Sequence, residues 1–169
     1  MASRKPARIS FSSITPNNLG TLRKLNSVLF PIRYSEKFYQ DVLLPELEDF
    51  CKLVYFNDVP VGTICCRLET KDGQTKLYLM TMGVLAPYRD RRLGSQSLEL
   101  IFGAASHKKL KISHIYLHVQ TSNGEAKRFY ERHGFKEVGI HENYYKKIQP
   151  RDAWILQRGV QSGESTEQQ

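Results

Sequence analysis

The chain has 169 residues, 40% hydrophobic and 25% charged, and a formal net charge of +8 from 25 Lys and Arg against 17 Asp and Glu. That length supports one domain with a real core, and no run approaches the roughly 18 apolar residues needed to span a bilayer. The positive balance points to an acidic ligand or to an RNA-rich neighbourhood such as the ribosome; charge alone gives direct nucleic-acid binding little support.

The N-terminus, MASRKPARIS, is basic with no apolar segment behind it, so it does not read as a secretory signal. Residues 1–7 read as a disordered basic tail. Arg8 to Ser12 alternates polar and apolar, as a half-buried strand does. Thr15-Pro16 is expected to give an N-cap followed by Pro at the first helical position, with Leu19, Leu22, Leu25 and Val28 on one face and an end near Phe30-Pro31. Ser35 is a candidate cap for a second helix with Phe38, Tyr39 and Val42 on its apolar side, and Pro45 marks the next break.

From Lys52 the period becomes that of strands. Leu53 to Phe56 is β-favouring and is followed by the turn pair Asn57-Asp58, then by a second strand from Val61 to Leu68. Lys71-Asp72-Gly73-Gln74 is a hairpin turn, because Asp-Gly tolerates positive φ, and Lys76 to Leu85 returns as a third strand. Pro87 ends it. After the turn Arg89-Asp90-Arg91-Arg92-Leu93-Gly94 a helix is expected over about 93–108. Ile115 to Val119 is a buried-strand pattern, and Asn123 caps a further helix that Gly134 ends. Val138 to Ile140 and Tyr144 to Ile148 are expected to pair as strands, and Trp154 to Leu156 to dock as a terminal turn. Residues 159–169 form a polar tail, so residues 8–158 make one α/β domain.

Two stretches carry chemistry. Strand, basic glycine-containing turn and helix suit a phosphate group, because the first helical amides lack intrahelical partners and sit at the positive end of the macrodipole. A solvated connection that happens to be basic explains the same residues. In Asn123 to Phe135, NGEAKRFYERHGF, Asn123 and Tyr130 lie two turns apart on one face; a purely structural helix accounts for them equally well. His118 alternates away from Ile115, Leu117 and Val119, and a satisfied core histidine is its simplest local reading. His107, His114, His133 and His141 have no comparable support. The three cysteines, Cys51, Cys65 and Cys66, have no metal-ligand spacing and read as buried thiols in a reducing compartment, the cytoplasm first and the nucleus second. No metal site is expected.

The order strand, Arg-rich turn with Gly94, helix, strand, then N-x-x-A-x-x-F-Y-x-x-x-G-F resembles the GNAT superfamily of acetyl-CoA-dependent N-acetyltransferases. Within it the chain is most similar to the family of catalytic subunits of N-terminal acetyltransferase E, through Leu29 to Tyr34, Leu53 to Asp58, Cys65-Cys66-Arg67, Leu77 to Gly83, Ala86 to Arg89, Ile115 to Gln120 and Asn143 to Ile148. The resemblance implies an α/β (α+β) GNAT fold, a mixed, mostly antiparallel sheet of about seven strands splayed in the middle and flanked by about four helices. It implies acetyl-CoA as cosubstrate, with its pyrophosphate on Arg89, Asp90, Arg91, Arg92, Leu93, Gly94 and Ser95. Its pantetheine arm would pair with Met82, Gly83 and Val84, and its thiol end would meet Asn123 and Tyr130. Tyr78 and His118 take the acid–base roles, acting through an ordered water. Phe30, Pro31, Ile32, Tyr34, Met80, Tyr144, Tyr145 and Ile148 would hold a protein N-terminus starting with Met and an apolar or other permitted residue.

The phosphate turn departs from the superfamily pattern Q/R-x-x-G-x-G/A. Anchored on Ala86-Pro87-Tyr88, Arg92 stands in the first glycine's place; begun at Arg91, Gly94 is the first glycine and Gln96 replaces the second. If Arg92 takes positive φ, strain on the order of 1 kcal/mol follows. The main expectation is a protein N-α-acetyltransferase working by direct attack in a ternary complex, with auxiliary and catalytic acetyltransferase subunits near the ribosome as partners. The rivals are a weak or inactive scaffold subunit of such a complex and an acetyltransferase of lysine ε-amines.

Overall fold

The computed structural model describes residues 5–160. In chain order the elements are β1 (Ile9–Ser13), α1 (Leu19–Leu29), α2 (Glu36–Asp41), β2 (Lys52–Phe56), β3 (Val59–Lys71), β4 (Gln74–Val84), α3 (Leu93–Ala105), β5 (Ile112–Gln120), α4 (Gly124–Arg132), β6 (Lys136–His141) and β7 (Ala153–Gly159), with short 3₁₀ turns at Pro45–Leu47, Ala86–Tyr88 and Lys108–Leu110. The strands hydrogen-bond in the order β1-β2-β3-β4-β5-β7-β6. The β4–β5 pair is parallel, while β1–β2, β2–β3, β5–β7 and β6–β7 are antiparallel. This is the mixed, mostly antiparallel seven-stranded sheet with four helices that the resemblance implies. Of the two expected tails, residues 1–4 and 161–169 lie outside the described residues; residues 5–8 have no regular structure, and Gly159 closes β7.

The described residues group into two compact units, those of Met1–Arg67 with Met80–Ala104 and those of Leu68–Leu79 with Ala105–Gln169. The first unit is built on hairpins and on α1. Asn57 and Asp58 both take positive φ, 47° and 66°, the twist that a two-residue hairpin loop needs, and the Arg8 backbone is held there by the Asn57 side chain at 2.9 Å. Leu22, Leu25, Leu53, Val54, Val61, Ile64, Leu93, Leu98 and Ile101 are buried. A polar group shares this interior: the Thr63 hydroxyl donates to Asn26 Oδ1 at 3.0 Å, with both residues buried. Cys51, Cys65 and Cys66 are buried free thiols. Cys51 Sγ donates to the Cys66 carbonyl at 3.3 Å, and burial pushes the Cys66 thiol well up.

Two local expectations in this unit are corrected. The cap of α1 is Asn18 rather than Thr15, and Pro16 lies in the preceding turn. The reason is a competing turn: the Thr15 amide donates to Asn18 Oδ1 at 2.7 Å, and Asn18 Nδ2 donates to the Ser13 carbonyl at 2.9 Å. Val28 is 68% exposed. The buried arc of α1 runs through Leu22, Leu25 and Asn26, because Asn26 finds its partner on β3 and Val28 lies one step outside that arc.

The second unit carries the β3–β4 hairpin tip, with Asp72 at φ 53° and Gly73 at φ 74° as the turn chemistry requires. It also holds β5, α4, β6 and β7. On β5, Ile112, Ile115, Leu117 and Val119 are buried while His114, Tyr116, His118 and Gln120 are half-buried, the alternation read from the sequence. Asn123 caps α4 by accepting from the Ala126 amide at 3.2 Å, and Gly134 takes φ 87° beyond its end.

The terminal pairing differs from expectation. Tyr144 to Ile148 is not a strand; β6 pairs instead with Ala153–Gly159, the stretch expected as a docked turn. β7 lies between β5 and β6 and satisfies ladders on both sides, from His114↔Gly159 to Gln120↔Ala153 on one and from Lys136↔Gln157 to His141↔Ala153 on the other. Two ladders outweigh the single one that a 144–148 strand would make, so the tyrosine pair becomes a loop.

Candidate active site

The loop left over by that pairing, residues 142–152, is fixed by hydrogen bonds at its base. The Asn143 amide donates to Asp152 Oδ1 at 2.9 Å, the Tyr145 amide to the Arg151 carbonyl at 2.9 Å, and the Thr121 amide to the Asp152 carbonyl at 3.0 Å. Gln120 Nε2, at the end of β5, donates to the Pro150 carbonyl at 2.9 Å. These bonds hold Tyr144 flat against His118: the rings stack with centroids 4.0 Å apart and 6° between their planes.

Around that stack four side chains form a continuous hydrogen-bonded series. The Tyr78 hydroxyl lies 2.8 Å from His118 Nδ1 and 2.6 Å from the Tyr144 hydroxyl. His118 Nε2 lies 3.0 Å from Nδ1 of His141, at the end of β6. Tyr78 is 6% exposed, whereas His141 is exposed, so the series runs from interior to solvent. A neutral imidazole donates from one nitrogen and accepts at the other, and each phenol can do both; the series can therefore pass a proton along without any group moving. Tyr116 packs on Tyr78 with ring centroids 4.7 Å apart and donates a short hydrogen bond to Glu69. Burial first, and then the neighbouring Tyr144, push the Tyr145 phenol up to about 12, so it stays neutral and able to donate across the physiological range.

The sequence-predicted acid–base pair, Tyr78 and His118, is thus in direct contact, and Tyr144 joins it. Tyr145 packs edge-on against Tyr144 at 4.9 Å, and Ile148 lies half-buried in the same loop. His141, set aside on sequence, stands beside His118. Its position follows from the β6–β7–β5 register, which no local pattern encodes. The one cue was its place just before the Asn143-Tyr144-Tyr145 segment.

The ladder between β4 and β5 covers Thr75↔Ile112 to Tyr78↔Tyr116 and stops there. Phe30 sits over Gly83: a Cβ on that glycine would lie 2.9 Å from Phe30 Cζ. Tyr34 meets Phe30 edge-on at 6.3 Å and stacks on Phe38 at 4.5 Å, and Ile32 is 39% exposed. Pro31 is exposed beside them and Met80 is half-buried on β4.

Beyond β4 the basic turn is strongly bent. Asp90 and Arg92 take φ of 62° and 63°, Arg89 Nε donates to the Val84 carbonyl at 3.1 Å, and the Arg91 guanidinium stands 5.1 Å from the Phe56 ring centre. The Gln96 amide donates to the Arg92 carbonyl at 3.0 Å. Helical bonding therefore starts from Arg92, and Leu93, Gly94 and Ser95 form the first turn of α3. Arg92 takes the strained alternative left open by the sequence. On α4, Asn123 is the cap and Tyr130 is 8% exposed, edge-on to Phe129 and Phe135. Among the described residues no group of three or more His, Cys, Asp or Glu is placed to hold a metal ion, and no helix is long and apolar enough to cross a membrane.

The chain matches the acetyltransferase (GNAT) family over residues 19–135. It is 44% identical over 155 residues to N-alpha-acetyltransferase 50 of Danio rerio, covering 92% of this chain and 90% of that protein. It is equally 44% identical over 150 residues to the probable N-acetyltransferase san of Drosophila melanogaster, covering 89% and 80%. In three dimensions it is similar to Arabidopsis thaliana Naa50 in complex with the bisubstrate analogue CoA-Ac-MVNAL, with a TM-score of 0.82 and 43% identity over 89% of this chain and 97% of that one. With relatives of this identity aligned along nearly its whole length, and with the strand–turn–helix and capped α4 of the sequence motifs in place, the chain belongs to the acetyltransferase (GNAT) family.

Proposed function

We propose that this chain is a protein N-α-acetyltransferase that moves acetyl from acetyl-CoA to the free α-amino group of a protein N-terminus by direct attack in a ternary complex. The observation that carries the proposal is the contact of Tyr78, His118 and Tyr144. An attacking amine must shed a proton. A protein α-amino group has a pKa of roughly 7.7–8.0, so a sizeable fraction is already neutral at physiological pH, and an imidazole near ~6.5 is matched to receive the proton lost on attack. His118 and Tyr78, hydrogen-bonded to each other, take that proton through an ordered water. The relatives support the α-amine: one carries N-alpha-acetyltransferase in its name, and another binds an analogue joining CoA and acetyl to a peptide that begins Met-Val.

The residues present fit acetyl-CoA. A turn with two left-handed residues, Asp90 and Arg92, leads into the first turn of α3 and carries three arginines. Acetyl-CoA supplies the activated thioester carbonyl. Arg89, Arg91 and Arg92 with the amides of Leu93, Gly94 and Ser95 bind its phosphates, Met82 to Val84 hold its pantetheine arm, and Asn123 and Tyr130 attend its thiol end. Phe30, Pro31, Ile32, Tyr34 and Met80 take the first side chains of the peptide, Met followed by an apolar or other permitted residue, while Tyr144, Tyr145 and Ile148 hold its backbone. The buried thiols Cys51, Cys65 and Cys66 suit no acyl-carrying step. A cytoplasmic site near the ribosome, beside auxiliary and catalytic acetyltransferase subunits, suits the +8 charge.

A thiol-release assay with acetyl-CoA and a peptide starting Met-Leu tests the reading. The wild type is expected to acetylate the free peptide and not its N-terminally blocked, lysine-containing counterpart. His118→Ala is expected to lose about 10²-fold or more in kcat. Equal rates for wild type and His118→Ala, or acetylation of the blocked peptide alone, would overturn it.

A further inference from the structure

We infer that His141 is a positioning residue for the acetyl-transfer reaction: it holds His118 in its working tautomer and carries the proton from His118 out to water. The inference rests on the reading of His118 as proton acceptor.

His118 has both ring nitrogens engaged, Nδ1 by Tyr78 at 2.8 Å and Nε2 by His141 at 3.0 Å. If Tyr78 donates to Nδ1, then Nε2 carries the proton and His141 Nδ1 accepts it; the Tyr144 hydroxyl in turn donates to Tyr78. In that polarity Tyr78 and His118 each accept from one neighbour in the series and donate to the next, and the series ends at His141, which is exposed. A proton received from the amine forms a new O–H bond at Tyr78 as the O–H bond that Tyr78 donated breaks, and the proton so released forms an N–H bond at His118 Nδ1. The N–H bond at His118 Nε2 breaks and one forms at His141 Nδ1, and the imidazolium so made at His141 loses its Nε2 proton to a water molecule. One N–H bond of the amine is exchanged for one O–H bond in solvent, with no change in any group's oxidation; both imidazoles are left in their other tautomer, and the series returns to its starting polarity before the next turnover.

The arrangement also carries the charge from the interior toward solvent. His118 is half-buried and stands between the almost fully buried Tyr78 and the exposed His141. Moving the charge to His141, which is exposed, places it where water stabilises it. The titratable groups facing the pair are Tyr78 from β4, Tyr116 from β5, with its Glu69 partner, and Tyr144 from the loop. Tyr144 approaches His141 to 5.0 Å between ring centres. Glu142 follows His141 along the chain, and Asp152 precedes its ladder partner Ala153. His141 is coupled to His118 in turn through its own ring, tilted 55° at 5.1 Å.

The test uses the full chain, acetyl-CoA and a Met-Leu-starting peptide. Wild type, His141→Phe, His141→Gln and His118→Ala are compared from about pH 5 to 9, a range that spans the titration of an imidazole. His141→Phe and His141→Gln are expected to lower kcat about tenfold with KM little changed, to move the acid limb of the pH profile, and to be partly rescued by added imidazole. His141→Gln keeps a hydrogen-bonding group beside Nε2 but cannot carry the proton on. Full activity in that variant would overturn the relay. So would an unmoved pH profile in both variants while His118→Ala stays impaired. Loss of any effect of His118→Ala would instead sink the functional reading on which the inference rests. Melting temperatures of the variants separate relay from misfolding.

Discussion

Arg92 is the place where this chain trades backbone ease for charge, and replacing it by glycine separates the two. Its φ of 63° is left-handed, where Cβ crowds the following carbonyl at a cost of about 1–2 kcal/mol for an ordinary residue. Arg92→Gly removes that crowding but frees the unfolded chain, which takes back roughly 0.5–1 kcal/mol. The net expectation is a gain between about 0 and 1.5 kcal/mol. For a chain of this length that is a rise in Tm of up to about 6 °C. Arg92→Ala keeps the crowded Cβ and removes the rest of the side chain with its charge, so its Tm should not rise. Both variants lose one cation beside the α3 amides. An exposed ion pair is worth at most about 1 kcal/mol, so both should weaken acetyl-CoA binding by no more than about fivefold in calorimetric titration. The reasoning fails if Arg92→Gly melts below the wild type, or if glycine and alanine variants melt together. It fails differently if acetyl-CoA affinity is untouched in both, which would place the phosphates elsewhere.

Two further outcomes follow from groups away from the turn. Tyr145 keeps its proton to about 12 in the folded protein, against about 10 for an ordinary phenol; between those values the unfolded chain binds fewer protons than the folded one, so stability falls as pH rises from about 10 to 12. An ultraviolet phenolate titration should show a late-ionising tyrosine that Tyr145→Phe removes, and a phenol titrating with the others would refute it. In the first unit, Asn26→Ala leaves the buried Thr63 hydroxyl without its acceptor, a loss of about 1–3 kcal/mol, measured by urea unfolding. The double variant Asn26→Leu, Thr63→Val should recover most of that loss, since neither polar group then remains.

Much of the fold was legible because it rests on local chemistry. The hairpin turns at Asn57-Asp58 and Asp72-Gly73 announce themselves through residues that tolerate positive φ. Ser35 and Asn123 cap their helices as expected, and the two-residue alternation of β5 set His118 apart from its aliphatic neighbours. Where local signals competed, the sequence misled: Asn18 outbid Thr15 because its amide reaches back to Ser13 and Thr15 at once, and a polar Asn26 took a buried place because Thr63 was waiting on another strand.

The sequence alone settled the elements that carry the motifs and the residues that resemble the family's, since turn, cap and periodicity are properties of a few neighbouring residues. Tertiary structure decided the end of the chain. β7 took the central place between β5 and β6 because it could complete two ladders. That choice released Tyr144 from a strand to stack on His118 and carried His141 to its side. Those contacts join residues 23 to 66 positions apart. They depend on register between strands, which is fixed by the sum of all ladder bonds and buried side chains and by no short stretch among them.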